Sequence, residues 1–190
     1  MTMTWQPLEP DYKILPLSSF FHRFGWTRAL PVCLQSVVSP QVLISIAART
    51  TILEHVQTNH LEVGGLLVGS VYYLAYPVTT GHHFLVLIEE ILPSNDVQNS
   101  EVALRMGVEV WDRARQRTES GLTILGWYHS HPGLGAFFSI TDRETHRAFF
   151  PMPFSIGYVI DPVSGQETVC LSDRMIPLTG RVQEFDCGVE

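Results

Sequence analysis

Four apolar runs rich in β-branched and aromatic residues, each closed by a turn signal, set most of what this chain can become. EVGGLLVGSVYYLAY begins at Glu62, FLVLIEEIL at Phe84, LTILGWYHSH at Leu122 and FSIGYVID near Phe154. Such runs read as strands of a core sheet, and QETVCLSD adds another after a turn at Pro162–Gly165. A turn over Pro77–His82 and a loop at Pro93-Ser94-Asn95-Asp96 separate the first of them. Helical spacing lies between the strands. Ser39 as N-cap and Pro40 at the first helical position open a helix expected to reach Asn59, with Leu43, Ile46, Ala47, Leu53 and Val56 on its apolar stripe. A second helix is expected from about Glu101 to Glu119. It buries Val102, Ala103, Met106, Val110 and Ala114 and shows Arg105, Glu109, Arg113, Arg115 and Arg117 to solvent. The pattern predicts one α/β (α+β) domain over 31–175, with helices against a mixed, largely antiparallel sheet, and a tail over 176–190. Residues 1–30 differ: Trp5, Tyr12, Phe20, Phe21, Phe24 and Trp26 are interspersed with Pro7, Pro10 and Pro16. This predicts a non-helical arm whose rings pack on the domain.

Composition narrows the function classes. With 190 residues, 45% hydrophobic and 16% charged, the chain is long enough and apolar enough for a real core, which excludes general disorder. The low charge and a mean hydropathy of +0.12 leave apolar surface for a partner or a second copy, so a homodimer is one expectation. A net charge of −7 excludes a general nucleic-acid binder, which needs a basic face. No run reaches the ~18 apolar residues of a membrane span. The opening MTMTWQPLEPDYK lacks the layout of a secretion signal. Cys33, Cys170 and Cys187 are odd in number and form no CxxC, so a reducing cytoplasm is expected.

The chemistry concentrates in His129-Ser130-His131-Pro132 and the stretch through Ser139 and Asp142. Histidines at i and i+2 of a strand project from one face, roughly 6.6 Å apart at Cα, and can converge on one ion. Thr141-Asp142-Arg143-Glu144 fits a capping box with Thr141 as N-cap, so Asp142 opens a helix at its positive end and becomes the third ligand. Two imidazoles and one carboxylate leave a fourth position open, the composition of a catalytic zinc site. Glu62, at the start of an apolar strand, needs a polar partner and is the candidate proton acceptor. The remaining histidines, His22, His55, His60, His82, His83 and His146, read as surface or packing residues.

Glu62 within EVGGLLVG, the HSHP of 129–132 and the S-x-x-D of Ser139 to Asp142 together resemble the JAMM/MPN+ (JAB/MPN domain) metalloprotease family, over roughly residues 31–175. The resemblance implies a cytidine-deaminase-like architecture, Zn²⁺ on His129, His131 and Asp142, Glu62 as general base and then acid, and Ser139 steadying the oxyanion. It also implies hydrolysis of an isopeptide or peptide bond after the Gly-Gly tail of a ubiquitin-like protein, guided by a loop over Pro93–Leu104. No large second insertion is expected after Asp142. Trp127, Phe137 and Phe138 are candidate substrate contacts, from strand period and from their place in the loop. One minimal domain resembles the bacterial, deubiquitinase-like members, several of which accompany conjugation enzymes in antiphage defence. Two other readings stand beside it, a sulfur-carrier-protein peptidase of sulfur metabolism and a non-catalytic MPN scaffold.

Overall fold

The computed structural model describes residues 12–36, 41–74, 83–94, 106–178 and 182–188. The strands are β1 (Ile14–Pro16), β2 (Gln41–Ser45), β3 (Gly64–Leu74), β4 (His83–Pro93), β5 (Thr123–Ser130), β6 (Ile156–Asp161), β7 (Gln166–Leu171), β8 (Ile176–Pro177) and β9 (Val182–Phe185). The helices are α1 (Leu17–Ser36), α2 (Ile46–Gln57), α3 (Val108–Glu119) and α4 (Ile140–Phe149). Among the described residues the strands form one mixed sheet in the order β8-β7-β6-β5-β3-β4-β2-β9, with β1 beside β3. The long central pairings, β3 with β4 and β3 with β5, are antiparallel. β5–β6 and β2–β4 are parallel.

Strand alternation divides the core. Val42 and Ile44 of β2, Val86 and Ile88 of β4, and Ile156, Tyr158 and Ile160 of β6 pack with Ala48, Ile52 and Val56 of α2. Leu43, Leu85 and Leu87 point the other way, onto Phe20, Phe24, Ala29, Val32 and Cys33 of α1. Leu66, Val68 and Trp127 meet Val110 and Ala114 of α3 together with Phe150. No helix among the described residues is long and apolar enough to cross a membrane.

Four local expectations are corrected. Residues 41–45 are a strand, because Gln41–Ile44 pair with Leu85–Ile88 and Val42–Ser45 pair with Val182–Phe185, a non-local ladder that outweighs the helical spacing. Val42, Leu43 and Ile44 are all buried, which suits a strand covered on both faces and not a helical stripe. The helix cap is therefore Ser45, whose hydroxyl accepts the Ala48 N–H at 3.0 Å; Ser39 lies outside the described residues. The aromatic arm is helical: α1 crosses residue 30, with a kink at Gly25 and Pro31 inside it. Its rings do pack inward, Phe20 against Tyr72 and Phe24 against Phe185, and Arg23 forms a bidentate ion pair with Glu89 of β4. Trp26 instead faces solvent, and Trp5 lies outside the described residues. The third correction concerns α3. Its arginines do not all face solvent, since Arg117 pairs with Glu90 at 2.6 Å and Arg113 donates to the Pro93 carbonyl. The tail also takes part in the sheet, through β8 and β9.

β5 reaches the site through a bulge. Leu67 pairs with Gly126 but Val68 with Ile124, so Leu125 is the extra residue. Gly126 has φ 149, and a Cβ there would lie 1.9 Å from the Ile156 carbonyl oxygen. Gly126→Ala is expected to lower stability by at least about 2 kcal/mol, from backbone strain and overpacking together. A shift in urea midpoint at unchanged m-value measures it, and a wild-type midpoint contradicts this account of the bulge.

Candidate metal centre

His129 is the penultimate residue of β5 and His131 lies just past its end, where the His131 N–H still donates to the Ile160 carbonyl at 2.9 Å. Both side chains are buried and their rings lie 4.8 Å apart. Asp142 comes from the first turn of α4. Its Oδ1 lies 3.4 Å from His129 Nε2 and its Oδ2 lies 3.8 Å from His131 Nε2. One ligand atom from each of the three residues falls within 4.8 Å of the others. His129 Nδ1 and Nε2 and His131 Nδ1 are buried without hydrogen-bond partners. Buried polar atoms are ordinarily satisfied, so this cluster calls for a ligand. Two imidazoles and a carboxylate fit a divalent ion of the zinc type.

The protonation states suit that role. Burial and the adjacent His129 push His131 below its ordinary value, against the pull of Glu62 and Asp142. Burial pushes the Asp142 carboxyl up, but the His129 ring and Ser139 outweigh it and hold the group at about 2. Neutral imidazole and ionised carboxylate are the forms that bind metal.

The cap of α4 sits two residues earlier than the sequence reading has it. Ser139, not Thr141, is the N-cap, and Asp142, not Glu144, is the third helical residue. The Ser139 hydroxyl accepts the Asp142 N–H at 3.1 Å, and Asp142 Oδ2 accepts the Ser139 N–H at 2.7 Å. The ligand is thus fixed by the cap, and the serine hydroxyl keeps its own proton to donate. Glu62 Oε1 lies 4.0 Å from His131 Nε2, and its side chain is 39% exposed. Phe137 is half exposed, with its ring 5.0 Å from that of His131. Trp127 and Phe138 do not line a cleft, because both are buried: Trp127 stacks beneath His129 at 4.4 Å, and Phe138 packs with Val159 and Cys170. Tyr128 is buried as well, its hydroxyl on His55 Nδ1 at 2.8 Å. The expected guiding loop lies, beyond Ser94, outside the described residues up to 105.

Two residues that the sequence reading left without a role hold the site together, and a third stands beside it. Ser130, fully buried, donates its N–H to the Val63 carbonyl at 2.8 Å and accepts the Val63 N–H on its hydroxyl at 3.0 Å. This clasp holds Glu62 beside the histidines. Asp161, at the end of β6, accepts the N–H groups of Gly133, Gly135 and Val163 and the hydroxyl of Ser164, which ties down the loop after His131. His146, also fully buried, stands on α4 one turn after Asp142. The signals available were the serine inside the HxH, the aspartate opening the Asp-Pro-Val-Ser-Gly turn, and the i, i+4 spacing of Asp142 and His146.

Ser130→Ala leaves a buried N–H unpaired and is expected to cost about 1–3 kcal/mol of stability, read from urea unfolding. Wild-type stability would remove the clasp from this account. Those four hydrogen bonds hold the Asp161 carboxyl well below the ordinary carboxylate range. A folded-state value below the unfolded ~3.9 gives stability that is present above that value and lost as the pH falls below it. The stability gap between wild type and Asp161→Asn should therefore shrink between pH 6 and pH 3. A gap constant across that range contradicts the assignment.

Comparison with known proteins agrees with this geometry. The family model described as prokaryotic homologs of the JAB domain matches residues 46–172. NAD(+) hydrolase TcpA of Theionarchaea archaeon (strain DG-70-1) is 34% identical over 127 residues, covering 66% of this chain and 35% of that protein. COP9 signalosome complex subunit 5 of Candida glabrata is 31% identical over 105 residues, 55% of this chain and 23% of its own length. The 26S proteasome regulatory subunit RPN11 of Encephalitozoon cuniculi is 30% identical over 130 residues, 67% and 42%. The chain thus spans less than half the length of these relatives. In fold it is similar to the solution structure of protein DSY2949 from Desulfitobacterium hafniense, with TM-score 0.54, 18% identity and coverage of 76% of this chain and 93% of that one. With His129 and His131 at the end of β5, Asp142 on α4 and the matched segment covering most of the sheet, the chain belongs to the prokaryotic JAB-domain family.

Proposed function

We propose that the chain is a zinc-dependent peptidase that hydrolyses the bond after the C-terminal tail of a ubiquitin-like protein, linear or isopeptide. The observation that carries this reading is the convergence of His129, His131 and Asp142, with unpartnered ring nitrogens, beside the accessible carboxylate of Glu62. A non-catalytic scaffold has no use for that full set. Only part of TcpA is shared, so its named activity is not carried over.

His129, His131 and Asp142 hold the ion in this mechanism. When bound, zinc supplies Lewis acidity and brings the pKa of water toward ~7. Glu62, partly exposed next to His131, takes the proton of the attacking water and hands it to the leaving amine. The Ser139 hydroxyl, held in place by the cap, donates to the oxygen that gains charge. Phe137 flanks the substrate chain. A tail ending in Gly-Gly suits a buried centre, because glycine lets the backbone approach closely, and residues 93–104 guide it. The cellular setting that goes with this chemistry is a bacterial ubiquitin-like conjugation system of the antiphage type, in the cytoplasm. The odd number of cysteines, Cys33, Cys170 and Cys187, with no CxxC among them, suits a reducing compartment.

The test is hydrolysis of a fluorogenic amide carried on a ubiquitin-like tail ending in Gly-Gly, against the same tail ending in Gly-Ala. Glu62→Gln should fold and retain its zinc while kcat falls by at least ~10². The Gly-Ala tail should lose more kcat/KM than the roughly 10–200-fold of an ordinary methylene mismatch. A folded Glu62→Gln protein with wild-type turnover removes Glu62 from the mechanism, and equal cleavage of the two tails overturns the recognition account.

A further inference from the structure

A metal-binding histidine ordinarily donates its second ring N–H to a carboxylate, a carbonyl or water, which sets its orientation. The second nitrogen of His129 has no such partner: Nε2 faces the Asp142 carboxylate at 3.4 Å, and Nδ1 is buried and unbonded. Its ring is held instead by the indole of Trp127, two residues back on the same face of β5, stacked at 4.4 Å with planes 9° apart. The indole is itself pinned. Trp127 Nε1–H donates to His146 Nδ1 at 3.2 Å, and His146 Nε2 lies 3.1 Å from the Ser172 carbonyl. A carbonyl only accepts and an indole N–H only donates, so His146 is the Nε2–H tautomer with Nδ1 as acceptor. Burial lowers the His146 pKa, which keeps the ring neutral as this arrangement requires. The fold leaves room for the pair. Gly157 lies opposite Trp127 on β6, and a Cβ there would fall 3.3 Å from His146 Nδ1 and 2.9 Å from the Phe138 ring.

We propose that His146 is a positioning residue for the metal centre: through the indole of Trp127 it fixes the ring plane of His129. Its helix therefore acts twice on the site, supplying Asp142 as a ligand and, one turn later, the acceptor that orients the support of another ligand. The inference rests on the metal-centre reading above. It assigns no proton transfer to His146, which touches neither substrate nor metal.

The experiment compares wild type, His146→Leu and His146→Gln. Leucine fills the space without an acceptor. Glutamine restores both bonds, its carbonyl accepting the indole N–H and its amide donating to Ser172. Two readouts are used: Co²⁺ affinity from the visible absorption of the bound ion, and the Trp127 indole N–H resonance of the metal-free protein, identified by its loss in Trp127→Phe. His146→Leu should bind Co²⁺ about 10-fold or more weakly and move the indole resonance, while His146→Gln stays near wild type in both. Wild-type Co²⁺ affinity in a folded His146→Leu protein overturns the inference. So do equal losses in both variants that track their urea midpoints, which mark a merely structural role. Should His146→Leu fail to fold, Trp127→Phe breaks the same bond from the other side. It keeps a stacked ring and should show the same loss of affinity, and unchanged affinity there is contrary. A wild-type protein that takes up no Co²⁺ overturns the metal-centre reading itself. The indole resonance of that same protein still reports the His146 bond, which separates the two failures.

Discussion

The antiparallel pairing of β3 with β5 is the interaction on which the site depends. It sets Gly64 opposite His129, and the two hydrogen bonds between Val63 and Ser130 extend it past the ladder. Those residues are 67 positions apart in the chain. Without this register the Glu62 carboxylate and the histidines have no reason to meet. The bulge at Leu125 matters for the same reason, because a slip of one residue would turn the histidines to the opposite face of the sheet. β6 supports β5 from its other side, and its terminal Asp161 anchors the loop that leaves His131.

The other half of the site is one short helix. α4 begins at a serine whose capping bonds lock the ligand Asp142, and its next turn carries His146 into the core. A ligand held by a capping box has little freedom left to lose when metal binds, and the same holds for a histidine stacked on a pinned indole. Ligands pre-set by backbone and buried side chains hold a geometry that loops alone do not. The neutral His131 and the ionised Asp142 belong to this preparation, since both already carry the charge state that coordination needs.

Much of this was legible in the sequence where the signal is local. β-branched runs marked the strands, and the i, i+2 histidines fell on one face because a strand repeats every two residues. Non-local pairing was not legible. Residues 41–45 carry spacing that suits a helix, and only β4 and β9 on either side make them a strand. Capping was ambiguous in kind, because Ser139-x-x-Asp and Thr141-x-x-Glu both satisfy the cap pattern, and it is the first whose reciprocal bonds form in the fold. The helix of the arm is masked in the sequence by its prolines, yet Pro16 precedes α1 and does not interrupt it, while Phe20 and Phe24 are spaced for a helix face. The meeting of Trp127 and His146 is hidden for a related reason: a lone histidine on a helix carries no mark of the indole it meets across the core.

The central claim is that His129, His131 and Asp142 together hold one divalent ion. Metal content measured by mass spectrometry after zinc loading and exhaustive dialysis tests it most directly, on the wild type and on the His129→Ala, His131→Ala double variant. The account predicts close to one zinc per chain in the wild type and almost none in the folded double variant. A wild type that retains no zinc, or a double variant that retains the full complement, would contradict it.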